Sequence, residues 1–279
     1  MSPIRWIGSC FPCAAFTESA PAVRVVKPHD GSNSIFCDNQ VINSKYTALS
    51  FLPQNLYDQF KRPLNRYFLF IGLLQLIPVI TPVSPITTLG PLFGAFMITA
   101  IKEGFDDLKR HQQDREFNHK PQKVYRGRLS PETIDSKHIR VGNLVLVEAG
   151  NELPCDLFLL ASSDPEGLAY IQTANIDGEI DLKARSCLPE VMTLMEGVEI
   201  VDGNYTGPSD QIALFPGQLT YEPPNQNIYD FASSLRLNNK TISVCEQQLL
   251  LQSCVLKNTT WVVGMAVYTG NETKVGMNK

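Results

Sequence analysis

The residues with the clearest chemical potential lie in "QTANIDGEIDLKAR", positions 172–185. Asp177 and Glu179 flank Gly178, and Asp181, Lys183 and Arg185 follow at alternate positions. A carboxylate projecting from a turn can orient a water molecule or take its proton, which is general-base chemistry. Gly178 suits such a turn, because glycine reaches backbone conformations that other residues resist. Both acids would then point outward. An acidic surface turn without chemistry has the same composition, and the turn taken alone favours that plainer reading.

The cysteines offer less. Seven are scattered along the chain, at Cys10, Cys13, Cys37, Cys155, Cys187, Cys245 and Cys254. The odd count and irregular spacing argue against a disulfide framework. Cys10 and Cys13 form a C-x-x-C with no His/Cys pair after it, so a cysteine pair in a flexible tail, open to palmitoylation, outweighs a zinc or redox site. No metal site and no cofactor-binding site is expected within these residues.

The acidic turn needs a frame, and the flanking sequence predicts a β-rich one. "NLVLVEA", "DLFLLASS", "LAYIQTAN", "QLLLQSCVL" and "WVVGMAVYTG" are short, apolar or β-branched runs separated by Gly, Pro, Asn and Asp, as strands are. Asp177, Gly178 and Glu179 thus fall in a turn at the end of a strand. Residues 188–226, with Pro and Gly throughout, are expected to be loop-like.

Upstream, residues 67–101 contain no charge. That run exceeds the ~20 residues of one membrane span, and "TPVSP" at 81–85 interrupts it. Two transmembrane helices, about 64–80 and 89–105, with a short extracytosolic turn are expected; two buried helices of a soluble protein are the competing reading. Lys61, Arg62 and Arg66 precede the run, Lys109, Arg110 and Arg115 follow it, and the turn has no base. By the positive-inside rule both ends face the cytosol. "AIKEGFDDLKRHQQDREFNH" is rich in helix formers and should continue the second helix as a stalk. Gln75 falls inside the first span, where a polar side chain implies a transport path or a helix–helix hydrogen bond. Sequons at Asn204, Asn239, Asn258 and Asn271 would be cytosolic and unused.

The bulk numbers exclude little beyond nucleic acid. The 279 residues are 43% hydrophobic and 19% charged, with net charge −4, so no basic excess marks a nucleic-acid partner. The N-terminal "MSPIRWIGSCFPCAAFTESAP" is a poor signal peptide, its apolar part being short and broken by Gly8, Ser9 and Pro12.

Taken in order, several blocks resemble one family. "NSKYTALSFLPQNLYDQFKRPLNRYFLFIGLLQLI" is similar to the segment by which type IV P-type ATPases, the phospholipid flippases, enter their first span. "SPITTLGPLFGAFMITAIKEGFDDLKRHQQDREFN" resembles their second span and stalk. "GNELPCDLFLL", "TANIDGEIDLKAR" and "LLLQSCVLKNTTWVVGMAVYTGNETKVGMN" then follow in family order. The resemblance covers residues 37–279 and is closest in texture to the plant and protist endosomal branch.

The resemblance implies a membrane α-helical hairpin plus a cytosolic β-rich actuator domain of distorted jelly-roll type. The implied layout is a flexible cytosolic tail (1–36), a segment leading into the membrane (37–63), two transmembrane helices (64–108), then stalk and actuator domain (109–279). It implies that Glu179 positions the water that hydrolyses an aspartyl-phosphate, with Asp177 and Gly178 in the loop's first two positions. Pro154 and Asp156 match a structural Pro-x-Asp element, and Gln75 falls near a possible lipid path. The whole family member would use ATP and Mg²⁺ to move aminophospholipids to the cytosolic leaflet of a Golgi, endosomal or plasma membrane, beside a glycosylated β-subunit.

Two departures stand out. Ile180 occupies the position where the family has Thr, which bears on loop docking and dephosphorylation rate. No "DKTGT" phosphorylation motif occurs before Lys279, so the chain is expected to be the leading fragment of a flippase, without phosphorylation or nucleotide-binding domains and inactive alone. A short non-catalytic membrane module that binds a partner ATPase or its β-subunit is the alternative, and an in-frame downstream "DKTGT" would separate the two. A cation-transporting P-type ATPase fragment fits the residues around the loop less well.

Overall fold

Long apolar runs between turn residues leave few ways to bury this chain except as stacked antiparallel strands, and a computed structural model shows that outcome. It describes residues 23–47, 49–77, 84–126, 130–195, 199–201, 204–206 and 215–278. The chain divides into two compact units, residues 42–117 and residues 1–41 with 118–279.

The second of these is β-rich. Its strands are β1 (Arg24–Val26), β2 (Pro121–Tyr125), β3 (Glu132–Asp135), β4 (Leu144–Glu148), β5 (Asp156–Ser162), β6 (Leu168–Gln172), β7 (Leu182–Ser186), β8 (Glu199–Val201), β9 (Asn204–Thr206), β10 (Gln218–Tyr221), β11 (Ser233–Leu237), β12 (Lys240–Val244), β13 (Leu249–Leu250), β14 (Val255–Lys257) and β15 (Trp261–Tyr268). The main sheet has the order β13-β5-β15-β4-β2-β3, and its neighbours pair antiparallel. β15 is buried at every position because β5 and β4 flank it and both its faces are covered. That is why its sequence is continuously apolar rather than alternating. A smaller sheet, β14-β6-β7, carries the acidic turn. There β6 alternates between buried and half-buried residues, the period of a strand with one covered face.

Two sequence expectations for this unit change. Residues 188–226 are not simply loop: α5 (Pro189–Leu194), β8, β9 and β10 lie there, with Val191, Leu219 and Tyr221 buried. Residues 24–26, within the expected tail, form β1 on the edge of the sheet β1-β10-β11-β12. Val26 is fully buried and Arg24 makes a two-pronged ion pair with Glu272 at 2.8 and 3.0 Å, so burial and charge pairing hold a segment that composition made look loose. Cys10 and Cys13 lie outside the described residues.

The helical unit holds α1 (Phe51–Lys61), α2 (Pro63–Leu74) and most of α3 (Ile86–Asn118). Arg62 breaks α1 from α2 with an extended ψ of 122°, the conformation a following proline favours, and Pro63 then opens α2 at the position where helices accept it. Gly72 on α2 receives the Leu89 side chain of α3, which fills the space an added Cβ would need. The helix expected to continue past residue 105 is present, since α3 runs unbroken to Asn118.

On α3, Asp107 and Asp114 stand two turns apart and strap the extended segment before α1. Asp114 Oδ2 accepts from the N–H groups of Asn43 (2.7 Å) and Ser44 (2.9 Å), and Oδ1 accepts from Asn43 Nδ2 (2.8 Å). Asp107 accepts from the N–H groups of Lys45 (2.7 Å) and Tyr46 (3.3 Å).

The expected first span, 64–80, is only the 12-residue α2 as far as Leu74, and residues 78–83, with most of the expected turn, lie outside the described residues. The expected second span, 89–105, lies within α3. Among the described residues no helix is long and apolar enough to cross a membrane; α2 is short, and the lower half of α3 is polar.

Candidate functional site: the acid–Gly–acid loop

The loop is held from below. β6 ends at Gln172 and is followed by one helical turn, α4 (Ala174–Asp177). Ile176 packs on the core, and the Asn175 side-chain amide donates to the Ser253 carbonyl oxygen at 3.0 Å. Gly178 then ends the turn with φ 76°, ψ 0°. No atom lies within 4 Å of a Cβ built there, so glycine is needed for the left-handed conformation and not for space. The sequence placed these residues in a turn after a strand; the structure inserts the helical turn between them.

The two acids differ. The Asp177 side chain is only 25% exposed. Its Oδ1 accepts the Glu179 N–H at 3.0 Å, and its Oδ2 accepts the Thr173 hydroxyl at 3.0 Å and the Lys183 ammonium at 2.8 Å. Pairing with Lys183, then the Glu179 N–H, holds the Asp177 carboxyl down at about 2. Glu179 touches the same ammonium at 2.8 Å, but its side chain is 59% exposed. Asp177 therefore braces the loop, and Glu179 presents its carboxylate to solvent. Ile180 is 75% exposed; only its carbonyl oxygen is engaged, by Gln172 Nε2 at 3.4 Å.

Lys183, at the start of β7, was not singled out from the sequence for a role. Its spacing of four from Glu179 suggests a pair only on a helix, and here the chain between them is not helical. The ammonium is raised above its ordinary value by Asp177 first and Glu179 second. It also occupies the place a metal ion would take between the carboxylates, so the loop does not fit Mg²⁺. Among the described residues no group of three or more His, Cys, Asp or Glu side chains could hold a metal ion.

Pro154 and Asp156 lie elsewhere, in a buried polar network. The Pro154 carbonyl oxygen accepts from Asn39 Nδ2 at 2.9 Å and Gln252 Nε2 at 3.2 Å. Asp156 is fully buried and accepts the N–H groups of Gln252 (2.8 Å) and Lys274 (2.7 Å). Lys274 opens the one-turn helix α6 (Lys274–Met277). Burial pushes the Asp156 carboxyl up to about 6 against the pull of those N–H groups and of Lys274. Nothing in the sequence alone linked Asn39 to Pro154, or Gln252 and Lys274 to the Asp156 carboxylate, because they meet only across the fold. Gln75 follows the last residue of α2, half-buried, its Oε1 without a hydrogen-bond partner among the described residues.

Residues 23–89 match the sequence model of a family described as phospholipid-translocating ATPase N-terminal. That match begins ahead of residue 37, where the resemblance in the motifs starts. The chain is 38% identical to Phospholipid-transporting ATPase 2 of Arabidopsis thaliana over 259 residues, 91% of this chain and 22% of that protein. It is 39% identical to a phospholipid-transporting ATPase of Schizosaccharomyces pombe over 252 residues, 90% of this chain and 19% of that protein. It is 36% identical to human Phospholipid-transporting ATPase ID over 244 residues, 87% of this chain and 19% of that protein. The chain thus spans about a fifth of the length of the curated relatives it matches.

Proposed function

From the chain's match to the N-terminal portion of the type IV P-type ATPases, the phospholipid-transporting ATPases, we propose that it acts as the leading part of an ATP-driven phospholipid flippase. In this reading the β-rich unit is the actuator domain, of distorted jelly-roll type, and its acid–Gly–acid loop promotes dephosphorylation of an aspartyl-phosphate. The observation that carries the reading is the asymmetry of the loop: Asp177 is tied down by three partners while Glu179, beyond the left-handed Gly178, stays open.

Glu179 takes a proton from a water molecule as the water oxygen bonds to phosphorus. The bond from phosphorus to the aspartyl oxygen breaks, inorganic phosphate leaves and the aspartate is regenerated. The aspartate, ATP and Mg²⁺ belong to parts of such a pump outside these 279 residues, which contain no "DKTGT"; the chain by itself is therefore expected to hydrolyse no ATP. Aminophospholipids as cargo and a glycosylated β-subunit as partner come with the same reading.

So does a membrane hairpin with cytosolic ends, in a Golgi, endosomal or plasma membrane. Its support is the uncharged run 67–101 and the apolar side chains that the helical unit leaves exposed, among them Phe70, Leu73, Phe93, Met97, Ile98 and Ile101. Apolar exposure on this scale marks a membrane or partner surface. Gln75 Oε1, without a hydrogen-bond partner among the described residues, would accept a hydrogen bond from a passing lipid headgroup.

The test is a flippase from a related protein carrying residues 37–279 of this chain in place of its own. Glu179→Gln keeps the shape but cannot take the proton, so phosphorylation by ATP should persist, phosphoenzyme should accumulate and turnover should fall by ~10²–10⁴-fold. Asp181→Asn should do far less, and Ile180→Thr should leave turnover unchanged or raise it. Dephosphorylation as fast in Glu179→Gln as in the parent graft would make the loop a solvated surface turn.

A further inference from the structure

We propose that Lys183 is the positioning residue of this loop, fixed by Asp177 and in turn setting where the Glu179 carboxylate stands. The inference rests on the functional reading above and concerns the same site. One ammonium bridges the two acids, at 2.8 Å from Asp177 Oδ2 and 2.8 Å from Glu179 Oε2. The partners are unequal in freedom. Asp177 has a short side chain with two further hydrogen bonds, whereas Glu179 has a long, exposed side chain that, among the described residues, meets this ammonium alone. Lys183 projects from β7, which is paired to β6 through Lys183 and Ile171, and its side chain is 29% exposed. The paired strand, clamped Asp177 and shared cation together restrict the exposed Glu179 carboxylate.

Charge gives the bridge a second effect. Two bare carboxylates would bring a charge of −2 toward an anionic phosphoryl group, and with Lys183 the cluster carries −1. Lys183 thus lowers the repulsion that a docking loop meets while leaving Glu179 its lone pairs for the water. Both effects are local to the loop and need no rearrangement of the sheet.

The experiment uses the same flippase graft and follows decay of preformed phosphoenzyme. Normal phosphorylation by ATP in each variant reports a folded pump. Lys183→Met should slow dephosphorylation by about tenfold or more, since small misplacements of a reacting group are costly. Lys183→Arg, which keeps a cation in reach of both acids, should restore most of the rate. The Lys183→Met deficit should shrink as salt screens the uncompensated charge, a response that loss of structure alone would not give. In a double-mutant cycle, Asp177→Asn should add little to Lys183→Met, because the anchor acts through the lysine. If Glu179→Gln slows decay and Lys183→Met does not, the positioning role is overturned while the loop assignment stands. Lys183→Arg as slow as Lys183→Met also overturns it. If Glu179→Gln has no effect, the loop assignment itself fails.

Discussion

Asp156 and Asp177 are carboxylates of one unit driven in opposite directions. Asp177 sits at the surface beside an ammonium and a backbone N–H, and those partners favour its anion. Asp156 has two backbone N–H donors and a lysine nearby, yet full burial outweighs them and raises it from 3.8 to about 6. The folded state therefore binds a proton at Asp156 more tightly than the unfolded chain does. Its contribution to stability is complete below about pH 4 and is lost as the pH rises through about 6, at up to about 1.4 kcal/mol per pH unit within that window. Asp156→Asn removes the titration. In urea titrations followed by tryptophan fluorescence, with Trp261 buried in β15 as a probe, the stability of the parent chain minus that of Asp156→Asn should therefore fall as the pH rises from 4 to 6. A difference that stays constant across that range would mean that Asp156 does not titrate there.

At the scale of elements, the clearest devices are side chains that replace missing backbone partners. The extended segment 43–46 belongs to no sheet, and Asp107 and Asp114 supply acceptors for its N–H groups. Charge-assisted bonds of this kind are stronger than neutral ones, and losing one leaves N–H groups unsatisfied at roughly 1–3 kcal/mol. Asp114→Ala should speed amide hydrogen exchange at Asn43 and Ser44 while leaving exchange in β5 and β15 unchanged; equal protection at Asn43 in both proteins would show that the strap carries no load. The stalk sequence displayed both aspartates, but seven-residue spacing on a polar helix reads as a solvated face until the segment lying on it is known.

For the whole molecule the property to test is sidedness. Asn239, Asn258 and Asn271 are exposed sequon residues in turns or beside them, so each would be accessible to the glycosylation machinery if the β-rich unit were lumenal. With cytosolic ends, as the flanking Lys and Arg imply, glycosidase treatment of the chain expressed in cells should leave its mobility unchanged. A shift abolished by Asn→Gln at any of the three positions would reverse the topology.

The β-rich class of the chain after Pro121 was legible from local composition, because strand-length apolar runs between turn residues have few other uses; β4, β5, β6 and β15 fall where those runs lie. The sequence also marked Gly178 and its flanking acids, since a glycine between charges is a local signal that needs no tertiary partner. Which acid is braced and which stands exposed follows from contacts made in the folded chain. That distinction rests on the Thr173 hydroxyl four residues before Asp177 and on Lys183 six residues after it, near neighbours whose contacts follow only once the helical turn α4 and the pairing of β7 with β6 are set. The same holds for β1, whose place beside β10 comes from burial of Val26 and an Arg24–Glu272 pair 248 residues apart in the chain. Local chemistry names candidate residues; contacts between distant segments assign them their roles.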